Sequence, residues 1–165
     1  MAKSSVKEEV TLPVLSLDAK DKSILRLLQE NARFTIREIA DRVHLSTTPV
    51  HERIKRMEEA GVIKQYAAIL DHTKINKALI VICYVSLKEH NKHAGTRFIK
   101  SIQELAEVVE CYNISGQFDF MLKVVAKDMD DYYHFHVNKL SQVENMGQVQ
   151  SVFVMGVIKQ THQLI

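Results

Sequence analysis

The sequence predicts an α+β fold in two parts: an N-terminal helix-turn-helix over residues 17–70 and a βαββαβ domain over residues 78–165. Three observations carry this. Two helix-start signals, at Thr35 and Ser46, stand close together behind a leading helix. Beyond Lys77 the apolar residues change from helical spacing to β-branched runs and alternation. Strand and helix signals then follow one another in the order of a split βαβ unit.

At 165 residues, 46% hydrophobic and 25% charged, the chain has ordinary globular composition and the length of one domain or two small ones. A chain this long buries roughly 70% of its unfolded surface, so its core needs neither metal nor disulfide. The longest apolar runs, Ala78 to Val85 and Ser151 to Ile158, fall far short of the ~20 residues that span a bilayer, and no membrane partner is expected. Glu8, Glu9 and Pro13 stand where a secretory apolar segment would lie, so no signal peptide is expected. Cys83 and Cys111 are too few for a disulfide framework and read as buried free thiols in a reducing cytoplasm.

The elements follow in order. Residues 1–16 have no periodicity and read as a loose leader. Asp18 caps a first helix whose Ile24, Leu25, Leu27 and Leu28 form a broad apolar stripe, broken at Asn31-Ala32-Arg33. Thr35 and Glu38 make a capping box, with Phe34 and Ile39 as its hydrophobic staple, for a helix ending near Val43. Ser46 is read as the cap of the third helix, with Leu45 and Val50 as staple. Pro49 fixes its frame, because proline is tolerated only in a first turn. That helix buries Val50, Ile54 and Met57 and ends at Gly61. Val62 to Leu70 has β character and suits a small wing or a hinge; the polar stretch 71–77 reads as a linker.

The second half begins with a strand, Ala78 to Leu87, and a helix, Lys92 to Glu104, with Ala94, Phe98, Ile99 and Ile102 on one side. A strand from Val108 to Ser115 and one from Phe118 to Ala126 enclose the turn Ser115-Gly116-Gln117. A helix from Asp130 to Leu140 is expected to turn Tyr133, Val137 and Leu140 inward, before a last strand from Gln148 to Ile158. This is the ferredoxin-like order.

The net charge of +2 announces no nucleic-acid binder, but its distribution is telling. Residues 1–75 carry 13 Lys/Arg against 11 Asp/Glu, whereas residues 76–165 carry 9 against 9. Local charge sets the field a ligand meets. With Val50, Ile54 and Met57 inward, the third helix turns Thr47, Thr48, His51, Glu52 and Lys55 outward, flanked by Arg53 and Arg56. The N-terminal part of such a helix touches base edges in the major groove, which places Thr48 and His51 at bases. Ser46 and Thr47 at the helix start, and Lys55 and Arg56 a turn on, suit phosphates. The competing reading is an ordinary three-helix bundle with a solvated charged face.

Other chemistries find little support. His134 and His136 point to opposite sides of their helix, and no third ligand joins His90 and His93, so no metal is expected. Neither a nucleophile elbow nor a phosphate-cradling loop is present, so no enzyme and no cofactor are expected. The turn Ser115-Gly116-Gln117-Phe118-Asp119 lies between two apolar strands and ends in a carboxylate, which suits a zwitterion. From the residues alone, though, a plain hairpin is the better reading.

Leu17-Asp18…Asp21…Ile24-Leu25…Leu28, Asn31-Ala32-Arg33, Glu38-Ile39-Ala40, Leu45-Ser46-Thr47-Thr48-Pro49-Val50 and Arg53-Ile54…Met57-Glu58…Gly61-Val62-Ile63 together resemble the DNA-binding half of the Lrp/AsnC (feast/famine) regulators. The second half resembles them through Ser115-Gly116-Gln117-Phe118-Asp119-Phe120…Leu122 and Val157-Ile158-Lys159. The resemblance runs from about residue 17 to the end of the chain. It implies a transcriptional regulator whose second half senses a small molecule and dimerises sheet to sheet, with dimers assembling into octamers (tetramers of dimers) or larger rings. It also implies an amino-acid effector at the dimer–dimer seam, held by Ser115, Gly116, Gln117, Phe118 and Asp119, with Gln148, Gln150 and Ser151 closing the site from a neighbouring dimer. Phe118 stands where many members have Tyr, which favours an apolar side chain such as leucine or methionine. His51 is not a family-wide residue, so no operator sequence carries over. A two-fold dimer presents two reading helices, so double-stranded DNA with a pseudo-palindromic operator is the expected partner. The alternative from another class is a sensor subunit that acts through protein contacts without DNA.

Overall fold

The computed structural model describes residues 15–165. The expected leader lies outside the described residues except for Leu15 and Ser16, and Leu15 packs on the helical core. The described chain forms two compact units, one reaching to Ala68 and one spanning Ile69–Lys159. Gln160–Ile165 group with the first unit rather than with the domain their sequence position suggests.

The first unit holds α1 (Ala19–Glu30), α2 (Ile36–Val43) and α3 (Thr47–Glu59). Both early caps are reciprocal. Asp18 accepts from the Asp21 N–H while the Asp21 side chain accepts from the Asp18 N–H, and Thr35 and Glu38 repeat the pattern at α2. α2 ends at His44, in the left-handed region at φ 53°, which makes the tight turn into α3. Ser46 occupies the N-cap position of α3, but its side chain makes no capping bond. Of the two N–H groups a capping oxygen seeks, on the second and third helical residues, only that of Thr48 is present, because the third is Pro49. Ile24, Leu25, Ile39, Ala40, Val43, Val50, Ile54 and Met57 form the core between the helices. Gly61, at φ 70°, ends the last turn of α3. The following stretch, where the sequence suggests a wing or a hinge, forms neither helix nor strand. His72–Ile75 is a short 3-10 turn capped by Asp71 rather than plain linker.

The second unit is a four-stranded antiparallel sheet of β1 (Leu79–Leu87), β2 (Val108–Asn113), β3 (Phe120–Ala126) and β4 (Met146–Phe153), in the order β2-β3-β1-β4. With α4 (Lys92–Gln103) and α5 (Met129–Asn138) this is the ferredoxin-like βαββαβ arrangement. Val81, Cys83 and Val85 of β1 and Phe120, Leu122, Val124 and Ala126 of β3 pack against Phe98, Ile102, Tyr132 and Phe135 of the helices. The other face carries half-buried Ile82, Tyr84, Met121, Lys123 and Val125. The β1–β4 register shifts between Val85 and Leu87. Opposite that bulge is Gly147, where a Cβ would sit 2.8 Å from the Ser86 carbonyl oxygen.

Four boundary or phase expectations change. β4 stops at Phe153, not Ile158, and the loop between β2 and β3 runs from Ile114 to Asp119. Ile99 is exposed, outside the buried stripe of Ala94, Phe98 and Ile102. α5 buries Tyr132 and Phe135, leaving Tyr133 and Val137 exposed. Leu140 is buried as expected, but it sits in a 3-10 turn past the end of the helix and therefore does not set the helix's phase. Cys83 is buried, whereas Cys111, on edge strand β2, is exposed.

Candidate nucleic-acid interface and ligand loop

α3 is amphipathic in the expected sense. Val50, Ile54 and Met57 are buried, and Thr47, Thr48, His51, Glu52 and Lys55 are exposed along one side. Thr48 and His51 are neighbours a turn apart near the helix start. Lys55 is solvated, with its Nζ 3.7 Å from Glu59.

Arg53 and Arg56 are placed otherwise. Asp21 of α1 is the one fully buried charged residue among those described. Arg53 Nη1 donates to Asp21 Oδ1 at 2.7 Å and to Asp18 Oδ2 at 2.6 Å, and Arg56 Nη2 donates to Asp21 Oδ2 at 2.7 Å. Both arginines brace α3 against α1. Arg56 keeps about half of its side chain in solvent (48%), but Arg53 keeps much less (27%). The Asp21 N–H, then Arg53, hold the Asp18 carboxyl below its usual range, and Asp18 and Asp21 raise the Arg53 guanidinium. No periodicity argument reaches this network, since its partners are 32 and 35 residues apart.

His51 and Lys55 also border a cleft of about 240 Å³ lined by Leu28, Phe34, Ile36 and Ile39. Tyr66, on the irregular segment after α3, lines it too and donates from its hydroxyl to Glu58 Oε1 at 2.8 Å. Burial first, then Glu58, pushes the Tyr66 phenol up to about 12. On α2, the Arg42 guanidinium stacks 4.1 Å over the Phe34 ring.

In the second unit Ser115, Gly116 and Gln117 are exposed, with Gly116 at φ 125°, a conformation L side chains rarely adopt. The half-buried Phe118 ring lies 5.6 Å from Tyr84. Tyr84 is paired across the ladder with Gln150, so Phe118 and Gln150 flank it on the open face of the sheet. The Gln148 N–H donates to Ser86 Oγ at 2.9 Å.

Asp119 is already engaged. Its Oδ2 accepts at 2.7 Å the N–H of Leu87, the residue just past the shift in the β1–β4 register. His90 Nε2 lies 3.0 Å from its Oδ1. Ser151 faces the opposite side of the sheet. Its Oγ lies 2.6 Å from the Tyr132 hydroxyl, which is 3.3 Å from Cys83 Sγ. There Ser151 lines an apolar cleft of about 300 Å³ with Met129, Tyr132, Tyr133, His136 and Phe153. The structure thus groups Phe118 and Gln150 and sets Ser151 apart; the sequence reading missed Tyr84 and His90. Burial raises the Cys83 thiol. Among the described residues no three His, Cys, Asp or Glu gather as a metal site, and no helix is long and apolar enough to cross a membrane.

Comparison with known proteins adds two family matches. A model described as winged helix-turn-helix DNA-binding matches residues 17–64, and one described as Lrp/AsnC ligand binding domain matches residues 80–164. The chain is 34% identical over 147 residues to the transcriptional regulator AzlB of Bacillus subtilis, covering 89% of this chain and 94% of that protein. It is 35% identical over 150 residues to the leucine-responsive regulatory protein of Haemophilus influenzae, covering 91% and 90%. A transcriptional regulator from Neisseria meningitidis, solved in complex with L-Met, superposes with a TM-score of 0.86 at 36% identity, covering 91% of this chain and 97% of that one. An AsnC family transcriptional regulator from Agrobacterium tumefaciens gives 0.86 at 38% identity, covering 90% and 97%.

Proposed function

The chain belongs to the Lrp/AsnC family of transcriptional regulators, and from that premise we propose how its own residues read DNA and answer a ligand. The reader is the N-terminal half of α3. Thr48 and His51 meet base edges, and Thr47, Lys55 and the solvated part of Arg56 meet phosphates. Arg53 positions α3 through Asp21 and Asp18. The observation that carries this is the division of one helix: short polar and basic side chains outward, two arginines drawn back onto a buried carboxylate.

The protein acts as a cytoplasmic dimer on a pseudo-palindromic operator. The open sheet face, with half-buried Ile82, Tyr84, Met121 and Val125, supports sheet-to-sheet pairing, and dimers associate further. The effector is an amino acid with an apolar side chain, as the L-Met bound by the Neisseria relative suggests. Asp119 takes its ammonium in competition with His90, backbone N–H groups around Gly116 take its carboxylate, and Phe118, Tyr84 and Gln150 border its side chain. The cleft at Ser151 and Tyr132 is a second seat for the same ligand, favoured by two hydroxyls in an apolar wall.

The test is titration of operator and mixed DNA at rising salt, with and without methionine or leucine. Binding that weakens steeply with salt supports the reader, and salt-insensitive or absent binding supports a DNA-independent sensor. A ligand-induced rise in melting temperature that Ser151→Val removes and Asp119→Asn leaves would move the effector to the second seat.

A further inference from the structure

The chain passes between its two compact units twice, after Ala68 and again after Lys159. The second passage returns the last six residues to the helical unit. There Gln29, in the last turn of α1, holds them. Its Nε2 donates to the His162 carbonyl at 2.8 Å. Its Oε1 accepts the N–H groups of Leu164 at 3.3 Å and Ile165 at 3.4 Å. One side chain therefore engages three backbone groups at the end of the chain. Little apolar burial reinforces them: every residue from Gln160 to Ile165 is exposed, Leu164 to 89%. Solvent-exposed hydrogen bonds without apolar burial open at low free-energy cost. At the other end, residues 154–159 continue directly from edge strand β4, and the Val154 N–H still donates to the Ile80 carbonyl at 3.0 Å.

We propose that residues 160–165 are a releasable latch: docked on Gln29 they give the DNA-reading unit a second tether to the end of β4, and released they leave it on one. The inference rests on the reading of α3 as a DNA reader. A unit held by one tether has more orientational freedom, and two such units in a dimer lose more of it on binding paired half-sites. The docked latch therefore restricts which half-site spacings are bound well. A ligand or neighbouring copy that shifts β4 biases the latch through six residues of chain (154–159).

The experiment compares the full chain with Gln29→Ala and with a chain ended after Lys159. Hydrogen exchange reads the amides of Leu164 and Ile165. Time-resolved anisotropy reads a dye on Asp41→Cys in a Cys111→Ser background, and binding is measured across half-site spacings. Expected are slowed exchange at both amides in the parent, lost in Gln29→Ala. Faster local rotation of the dye is expected in both variants, with spacing preference flattened roughly tenfold while a single half-site binds as before. Unprotected amides in the parent, or dye rotation and spacing preference unchanged in both variants, would overturn the latch. A parent that binds no DNA but shows the exchange and rotation changes would sink the reader and leave the latch standing.

Discussion

Arg53 Nη1 sits 2.7 Å from Asp21 Oδ1, and through that contact the middle of α3 is fastened to the first turn of α1. Asp21 caps α1 through the Asp18 N–H with the same carboxylate that accepts Arg53 and Arg56. Helix start, helix packing and the placement of α3 thus converge on one buried side chain. Charged groups remove themselves from water only where partners compensate the desolvation, and here two guanidiniums and a backbone N–H do so.

Asp21→Ala is expected to lower stability by about 2–4 kcal/mol in urea unfolding. This is lower than the ~3–5 kcal/mol usual for a broken buried pair, because Arg53 and Arg56, left without their partner, both reach solvent. The variant should also lose operator affinity beyond what partial unfolding explains. A change below about 0.5 kcal/mol would show that the network is ornamental.

Thr48→Ala or His51→Ala should relax base preference, costing about 1–3 kcal/mol at the preferred base. Lys55→Ala should weaken all sequences alike and lower the salt slope by about one. Arg56→Ala should do the same and in addition destabilise the fold, because it pairs with Asp21. Footprints unchanged in affinity and preference across the set would remove α3 from the interface.

The pH response has a sign at each end. Tyr66 ordinarily titrates near 10 and is pushed up to about 12 by burial and Glu58. Between those values the folded state keeps a proton the unfolded state has lost. Its contribution is therefore complete below the unfolded value and lost as pH rises through the folded one. Tyr66→Phe should remove one late component from a tyrosinate titration, and flatten the alkaline fall in melting temperature. Asp18, held low by the Asp21 N–H and by Arg53, acts oppositely: its contribution is present above the usual carboxylate value of 3.8 and lost as pH falls below it.

Met121→Glu on the open sheet face should give monomers by sedimentation, since a charge there opposes burial of Ile82, Tyr84 and Val125 against a second copy. Operator affinity should fall by ~100-fold or more with the loss of bivalency, while half-site affinity stays. A dimeric Met121→Glu protein would place the interface elsewhere.

The helical unit was legible because its signals are local. Thr35–Glu38 and Asp18 announce caps, Pro49 fixes a frame, and Val50, Ile54 and Met57 repeat at helical spacing. The same locality explains the misreadings. Ser46 looks like a cap, but Pro49 removes one of the two N–H groups its side chain would seek. Tyr133 and Val137 were drawn inward by including Leu140 in a period that the helix does not reach. At the candidate ligand loop the sequence marks Gly116 and Asp119. It cannot mark Tyr84 or His90, which arrive from β1 and the segment after it through sheet register. Contacts such as Asp21–Arg53 depend on how helices cross, and no spacing along the chain encodes that angle.

Asp119 decides whether the loop is a ligand site or a hairpin, and its double engagement dictates the variant to use. Asp119→Ala removes the acceptor for the Leu87 N–H and leaves a half-buried bulge donor unpaired, at a cost of about 1–3 kcal/mol. Loss of an amino-acid response in that variant would confound structure with binding. Asp119→Asn keeps an acceptor oxygen for Leu87 and removes only the charge that an ammonium requires. It should stay within about 1 kcal/mol of the parent and bind operator DNA within a few-fold. It should no longer gain melting temperature from methionine or leucine. His90→Gln, which frees Asp119 Oδ1 from its exposed imidazole partner, should instead strengthen that gain. If Asp119→Asn answers both amino acids as the parent does, the carboxylate serves only the β1 bulge, and the effector must be sought in the cleft beside Ser151.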